Sequence, residues 1–195
     1  WPMLNETERK VYTEVLMPAT KNIAYIELAG MCVEPERIKE CHIELDNLIN
    51  ELCLDEDPYI QMIEESMGKK FNIKSTPQRK ILIFDLLGYE PLMTTDSGAP
   101  STQAKVLKKM LKKRHTDTLE KIISYSEYQG AKMNFLNVMD ENVRIINDKN
   151  FIFTSFWLGD TVTGRLKSNA PNLQNIPKTF VRKIFISRFG EHGYL

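Results

Sequence analysis

Apolar residues recur at helical spacing through the first part of the chain. The pattern over residues 4–28 predicts a first helix, and Gly30 suits its C-terminus because glycine tolerates a positive φ. A second helical pattern runs over residues 38–52 with acidic residues between the apolar ones, and Pro35 fits its first turn. Residues 55–58 interrupt this pattern with three acidic residues and a proline. We therefore predict two helices at the start of the chain.

Residues 76–88 and 101–114 carry two further helical patterns, which a loop at residues 93–100 separates. Hydroxyl residues that can cap a helix stand at both starts: Ser75 and Thr76 at the first, and Ser101 and Thr102 at the second. In the second helix, apolar residues occupy one arc and five lysines the opposite arc: Lys105, Lys108, Lys109, Lys112 and Lys113. Like charges four residues apart disfavour a helix, so a lysine arc without acidic partners would gain from contact with phosphates. A merely solvated lysine face is the alternative.

The last third of the chain changes from helical to strand-like patterns. Asp117 with Glu120 three residues later is typical of a helix start. The predicted elements are, in order, a helix from Asp117 to about Val143, a turn at 147–150, a strand at 151–157, a loop at 159–177 and a second strand at 181–186. The chain is thus predicted to be helical over most of its length and to form strands at its end.

Charge is unevenly distributed along the 195 residues, although the net charge is zero. Residues 1–68 carry a net charge of −10, residues 69–121 a net +7 and residues 122–195 a net +3. A basic segment of this kind favours a surface for a polyanion, and chance segregation of solvated charge is the alternative. No stretch approaches the ~20 apolar residues that a transmembrane helix needs, so no membrane partner is expected.

Neither the cysteines nor the histidines have the spacing of a metal site. The three cysteines, Cys32, Cys41 and Cys53, include no C-x-x-C pair, and we interpret them as free buried thiols of a protein from a reducing compartment. The three histidines are scattered and are interpreted as structural or surface residues. No metal ligand is therefore assigned in this chain.

Hydrogen-bond donors cluster near the end of the chain, on a loop bounded by glycine and proline. They are Arg165, Asn172, Gln174 and Asn175. The minor groove of DNA presents acceptors, purine N3 and pyrimidine O2, at nearly every base pair, and such donors can bind them whatever the base sequence. An asparagine- and proline-rich surface turn is the alternative.

The same loop carries a family resemblance. Residues 161–177 read T-V-T-G-R-L-K-S-N-A-P-N-L-Q-N-I-P and resemble the pattern T-x-T-G-R-L-S-S-x-x-P-N-L-Q-N-I-P of family A (Pol I-like) DNA polymerases. Residues 71–88 are similar to the tip of the polymerase thumb, residues 98–107 to the next thumb segment and residues 12–30 to the helix that enters the polymerase domain. The resemblance implies an α+β fold, with a mainly helical thumb followed by the first strands of a palm. It divides the chain into a lead-in helix (1–35), a helical thumb (36–145) and the start of the palm (146–195).

The resemblance also implies roles for the matching residues. Arg165 would contact the minor groove near the primer terminus, and Asn172, Gln174 and Asn175 would touch the duplex close by. The hydroxyl residues predicted at helix starts would hold backbone phosphates, as helix N-termini do: Ser75, Thr76, Ser101 and Thr102. Lys132 would lie in the thumb helix that follows the primer strand, and Arg182 would replace basic residues of the family. Lys167 stands where the family usually has serine.

The chemistry of the family needs residues that these 195 do not contain. Phosphoryl transfer uses two metal ions held by aspartates, the first of them in a D-Y-S-Q-I-E motif that is absent here. We therefore expect no catalytic residue and no cofactor in this chain, which alone would be inactive, and Mg²⁺ only in the complete polymerase.

We expect this chain to be the N-terminal part of a DNA-directed DNA polymerase domain that grips primer–template DNA, as in a split, phage-type enzyme. Its expected partner is a second polypeptide that carries the aspartates and the rest of the palm and fingers, with dNTP bound only in the assembly. The expected location is the cytoplasm of a bacterial or phage-infected cell. A stand-alone, non-catalytic duplex-binding module is the alternative, and a helical interaction protein without a nucleic-acid role is a third possibility.

Overall fold

The computed structural model describes residues 3–158, 161, 163–177, 180–190 and 193. The chain forms two compact units. We call Glu44–Gly130 the helical unit, and Trp1–Ile43 together with Ala131–Leu195 the mixed unit. The described residues form helices and small antiparallel sheets that loops connect, so the predicted α+β class is confirmed. No helix among these residues is both long enough and apolar enough to cross a bilayer.

The mixed unit begins with one continuous helical segment. It comprises α1 (Glu6–Val11), a π-helical segment (Tyr12–Leu16) and α2 (Met17–Ala29). Its start is capped because the side chain of Asn5 accepts from the backbone nitrogen of Glu8, and the Glu8 carboxylate accepts from that of Asn5. Gly30 ends the segment with a φ of 60° and a ψ of 176°. The predicted first helix is confirmed, including its glycine end.

Two helices run from one unit into the other. Helix α3 (Pro35–Glu51) begins in the mixed unit, and Ile38 and Cys41 on its predicted apolar face are buried. Helix α7 (Asp117–Ala131) ends where the mixed unit resumes, and a π-helical segment (Lys132–Leu136) and α8 (Asn137–Asn142) continue it. The long helix predicted from Asp117 is therefore confirmed.

The helical unit contains four helices besides the end of α3. They are α4 (Pro58–Met67), α5 (Thr76–Lys80) with a π-helical continuation (Ile81–Leu86), α6 (Ala104–Lys113) and α7. Aliphatic side chains from all four form its core, among them Ile60, Leu82, Leu107, Leu119 and Ile122. Helix α4 was not predicted from the sequence. Cys53 precedes it with a positive φ and is exposed, which corrects its assignment as a buried thiol; Cys32 and Cys41 are buried.

Two small antiparallel sheets lie in the mixed unit. In the first, the strand order is β1 (Met31–Cys32), β3 (Lys149–Ile152) and β2 (Arg144–Ile146). Asn147 and Asp148 form the tight turn between β2 and β3 with positive φ angles, which these two residue types tolerate. In the second sheet, β4 (Ser155–Trp157) pairs with β5 (Lys167–Asn169). The turn predicted at 147–150 is confined to Asn147 and Asp148, because Lys149 and Asn150 belong to β3. The strand-forming segment after it is confirmed, although it divides into β3 and β4, and β5 lies within the loop predicted at 159–177.

The prediction of a strand at residues 181–186 is wrong. A 3₁₀ helix (Phe180–Ile184) occupies most of the segment, and only an isolated bridge joins Phe185 to Val33. Val181, Ile184 and Phe185 are buried, whereas Lys183 is exposed. A strand with Val181 and Phe185 on its buried face would also bury Lys183, because alternate residues of a strand share a face. In a helix, residues three or four positions apart share a face, so Val181, Ile184 and Phe185 can be buried while Lys183 stays exposed.

Candidate nucleic-acid interface

The donor-rich loop is anchored to the two-stranded sheet of the mixed unit. Phe156 of β4 faces Ser168 of β5, and side chains accept the outward-facing backbone N–H groups of both residues. The nitrogen of Phe156 donates to Oε1 of Glu27 at 2.5 Å, and the nitrogen of Ser168 donates to Oε1 of Gln174 at 2.8 Å. On each edge of this short sheet, one backbone N–H is therefore satisfied by a side chain instead of a further strand.

Ser168 is the centre of the local network. Only 2% of its surface is exposed. Its hydroxyl donates to Oδ1 of Asn172 at 3.1 Å and accepts from the backbone nitrogen of Gln174 at 3.2 Å. The 3₁₀ turn (Leu173–Asn175) is thereby fixed against β5.

Thr154, which is buried, supports the turn between β5 and the donors. Its Oγ1 lies within hydrogen-bond distance of two carbonyl oxygens, at 3.0 Å from that of Asn169 and 2.6 Å from that of Pro171. Ala170 between them has a φ of 54°. A buried hydroxyl with two carbonyls in reach holds a backbone turn that alanine alone does not favour. The sequence pattern predicted no role for Thr154, Ser168 or Glu27.

Arg165 lies on a separate turn of the same loop. The backbone nitrogen of Gly164 donates to the carbonyl of Thr161 at 3.0 Å, and the hydroxyl of Thr161 donates to the carbonyl of Arg165 at 2.8 Å. Gly164 has a φ of 69°, which glycine adopts without strain. The Arg165 side chain is exposed. Residues 159, 160 and 162 of the predicted loop lie outside the described residues.

The predicted contact residues of the mixed unit are mostly accessible. Gln174 and Asn175 are exposed, and Asn172 is half-buried beside Ser168. Arg182 is exposed on the 3₁₀ helix, and Lys132 is half-buried at the start of its π-helical segment. The structure thus brings Asn172, Gln174 and Asn175 together on one short segment. The contacts of all these residues with DNA stay predictions.

The hydroxyl residues of the helical unit differ in position. Ser75 is the N-cap residue of α5 and Thr76 its first residue, but the Ser75 side chain makes no capping bond. Ser101 and Thr102 are buried, and α6 begins at Ala104 with Gln103 as its N-cap residue. The prediction that Ser101 or Thr102 caps α6 is therefore wrong. The physical reason is that the Ser101 backbone is held by its N–H donation to the carbonyl of Met93, at 2.9 Å.

Helix α6 presents its lysines to solvent, as predicted. Val106, Leu107 and Met110 are buried on the opposite face. The lysine arc does have one acidic partner, because Lys108 forms an ion pair with Glu127 of α7. This corrects the prediction of an arc without acids. The remaining lysines of the arc are exposed: Lys105, Lys109, Lys112 and Lys113.

Arg79 is a further basic residue near the start of α5. Burial lowers the pKa of its guanidinium below the ordinary value. Its Nε is buried and has no hydrogen-bond partner among the described residues, while an Nη atom lies 3.4 Å from the Thr76 hydroxyl. Arg79 was not predicted as a functional residue, because the burial of its Nε is not visible in the sequence.

The described residues offer no site suited to the metal of a polymerase. One cluster has three ligand atoms close together, formed by His115, Asp117 and Glu120, all exposed. Nε2 of His115 is hydrogen-bonded to Glu120 at 2.9 Å. Mg²⁺ takes oxygen ligands, and an imidazole does not belong to such a set. No metal is therefore assigned to this cluster.

Comparisons with known proteins agree on one family. The family model described as DNA polymerase family A matches residues 43–195. DNA polymerase I of Bacillus subtilis (strain 168) is 30% identical over 89% of this chain and 18% of its own length. The DNA polymerase of Bacillus phage SP01 is 32% identical over 66% of this chain and 14% of its own length. The thermostable DNA polymerase I of Thermus aquaticus is 29% identical over all of this chain and 23% of its own length.

A solved structure supports the fold. The POL domain of Pol1 from M. smegmatis, in complex with DNA primer-template and dNTP, superposes with a TM-score of 0.69 at 24% identity, over 90% of this chain and 29% of that one. This likeness is to a fold, and the chain spans about a fifth of the length of the curated relatives it matches. Since the family model covers more than half of the residues, the chain belongs to DNA polymerase family A.

Proposed function

We propose that this chain grips the primer–template duplex as the N-terminal part of a DNA-directed DNA polymerase domain. The observation that carries the proposal is the anchored loop, on which Arg165, Gln174 and Asn175 are exposed and Asn172 is held by a buried serine. Donors on a fixed backbone can bind minor-groove acceptors of any sequence without first ordering a flexible loop. Membership of family A, and the bound primer-template of the M. smegmatis neighbour, support this reading.

Phosphate contacts would come from both units. In the helical unit, the exposed lysines of α6 and the start of α5 with Ser75, Thr76 and Arg79 supply positive charge and donors. In the mixed unit, Arg182 and Lys132 are the proposed contacts. Such contacts fix a protein on the duplex and carry no sequence information, which suits template-directed synthesis.

The chemistry is proposed to need polypeptide outside these 195 residues. Family A phosphoryl transfer requires aspartates with Mg²⁺, and the D-Y-S-Q-I-E motif is absent from the sequence. We propose that a second polypeptide supplies this motif and the dNTP site, and that this chain alone is inactive. The proposed division is a lead-in helix (1–35), a thumb (36–145) and the start of a palm (146–195). The bacterial and phage relatives support a bacterial or phage-infected cytoplasm as the setting.

A reconstitution assay tests the proposal. The chain is mixed with a matched polypeptide that begins at the D-Y-S-Q-I-E motif and includes the fingers, and primer extension is measured with Mg²⁺ and dNTPs. Extension is expected only when both polypeptides are present, and Arg165→Ala is expected to slow it more than the control Arg9→Ala in α1. A matched second polypeptide that binds this chain and still gives no extension would refute the enzymatic proposal. Duplex binding without extension would favour the stand-alone DNA-binding module.

A further inference from the structure

The side chains of Asn172 and Gln174 each have a donor end and an acceptor end. Which end points away from the protein decides what either amide can bind, because the NH₂ group pairs with acceptors and the oxygen with donors. The hydrogen-bond network identifies the two ends when one partner can act in a single role. The backbone N–H of Ser168 is such a partner for Gln174, and the Ser168 hydroxyl faces Asn172.

The orientation of Gln174 follows from the backbone of Ser168. A backbone N–H can only donate, so the atom that faces it, 2.8 Å away, is the oxygen Oε1. The NH₂ group is the other end of the same planar amide, and the Gln174 side chain is exposed. Its donor end is therefore the end available to a ligand.

In the structure, the oxygen end of the Asn172 amide faces the Ser168 hydroxyl. This hydroxyl has one proton, and the backbone nitrogen of Gln174, 3.2 Å away, can only donate to its oxygen. Oδ1 of Asn172 lies 3.1 Å from the hydroxyl oxygen and is placed to accept this proton. The NH₂ group of Asn172 again becomes the end directed away from Ser168.

We propose that Ser168 is a positioning residue that fixes both amides with their donor ends available to the duplex. The loop then binds acceptors, the purine N3 and pyrimidine O2 atoms of the minor groove, and does not bind donors such as the guanine amino group. This inference rests on the proposed duplex-gripping function and adds the residue that sets its chemical selectivity. Ser168 itself touches no DNA, because it is 2% exposed.

Modified DNA provides the test. Affinity of the chain is measured for a primer–template duplex and for copies in which 3-deazaadenine replaces adenine at one position after another, which removes a single N3 acceptor. Wild type is expected to lose about tenfold in affinity at the contacted positions. The readout is the ratio of the affinity for the unmodified duplex to the affinity for the 3-deazaadenine duplex. A general weakening of binding lowers both affinities and leaves this ratio unchanged.

Three variants separate the roles. Ser168→Ala removes the bonds to Asn172 and to the Gln174 backbone, and the ratio is expected to fall from about tenfold to about threefold or less. Asn172→Asp keeps an oxygen that accepts from Ser168 but replaces the outward NH₂ by an oxygen, and it is expected to reduce the ratio similarly. Ser155→Ala, an exposed serine of the adjacent strand, should leave the ratio unchanged.

The outcomes distinguish the inference from the function on which it rests. If wild type binds neither duplex, the proposed function fails. If wild type binds with the 3-deaza penalty and Ser168→Ala lowers affinity for both duplexes equally, Ser168 has a merely structural role and the inference is overturned. Circular dichroism checks the fold of each variant. Should Ser168→Ala not fold, an unchanged ratio in Asn172→Asp overturns the inference by itself.

Discussion

Thr118 donates a hydrogen bond to the buried carboxylate of Asp57, with its hydroxyl oxygen 2.9 and 3.0 Å from the two carboxylate oxygens. The two residues lie 61 positions apart in the sequence. Asp57 also accepts from the backbone nitrogen of Tyr59 at 3.1 Å, which caps α4, and Lys121 lies 3.6 Å from it. One carboxylate therefore joins the start of α4 to α7 in the helical unit.

Asp57→Ala is expected to destabilise the chain by about 3 kcal/mol, because it removes a helix cap and leaves a buried hydroxyl without its charged partner. Urea unfolding measures the change. Asp55→Ala is the matched control, since that exposed carboxylate has only a 4.0 Å ion pair with Lys70. A loss of stability for Asp57→Ala no larger than that of the control would contradict this role.

Gly30→Ala is expected to cost about 2 kcal/mol or more. The backbone of Gly30 has φ 60° and ψ 176°, a conformation restricted to glycine, and an added Cβ would lie 2.7 Å from the Phe153 ring. Gly68→Ala, with φ 63° and open space around it, is expected to cost only about 1 kcal/mol. Thermal unfolding of both variants makes the comparison. Phe153→Leu should partly rescue Gly30→Ala, and equal costs for the two glycines would refute the ring contact.

Glu64 gives the helical unit a pH dependence. The N–H of Phe71 donates to its carboxylate at 2.8 Å and, with Lys70, holds the pKa of Glu64 below its ordinary value. A lowered folded pKa contributes stability above the unfolded pKa of about 4.3, and this contribution disappears as the pH falls through the folded value. Glu64→Gln should therefore be less stable than wild type near about pH 7, with a smaller difference near about pH 3. The exposed neighbour Glu65→Gln is the control. A difference between wild type and Glu64→Gln that does not change with pH would contradict the lowered pKa of Glu64.

The lysine face of α6 should determine part of the salt dependence of DNA binding. The triple variant Lys105→Ala, Lys109→Ala and Lys112→Ala is expected to reduce the slope of log affinity against log salt by about 0.9 for each DNA phosphate that these lysines neutralise in the wild type. Lys108→Ala, whose charge is already paired with Glu127, should change the slope less. An unchanged slope in the triple variant would favour the alternative of a merely solvated face.

Local patterns predicted most helices, and the two errors arose where a local signal fits more than one structure. The apolar spacing identified α3 and α6, because burial of one helix face is encoded by period. Helix α4 was missed because Asp57 and Pro58 were interpreted only as the end of a helix, although this pair also caps and begins the next one. Residues 181–186 were wrongly predicted to form a strand, because their β-branched residues were given more weight than the helical spacing of their apolar residues.

The candidate site was predicted in its residue types but not in its support. The donors of residues 161–177 are visible in the motif, whereas the roles of Ser168 and Thr154 depend on contacts between strand and turn that no periodicity encodes. The pairing of Lys108 with Glu127 likewise requires two helices to be adjacent.

Fluorescence anisotropy of labelled DNA tests the central claim most directly. The chain is titrated onto a primer–template duplex and onto the corresponding single strand at several salt concentrations, with Arg165→Ala and the control Arg9→Ala alongside. We predict preferential binding of the duplex that weakens linearly in log–log form with salt, and an affinity about tenfold weaker in Arg165→Ala alone. Absence of duplex binding by the folded chain at about 50 mM salt would contradict the claim.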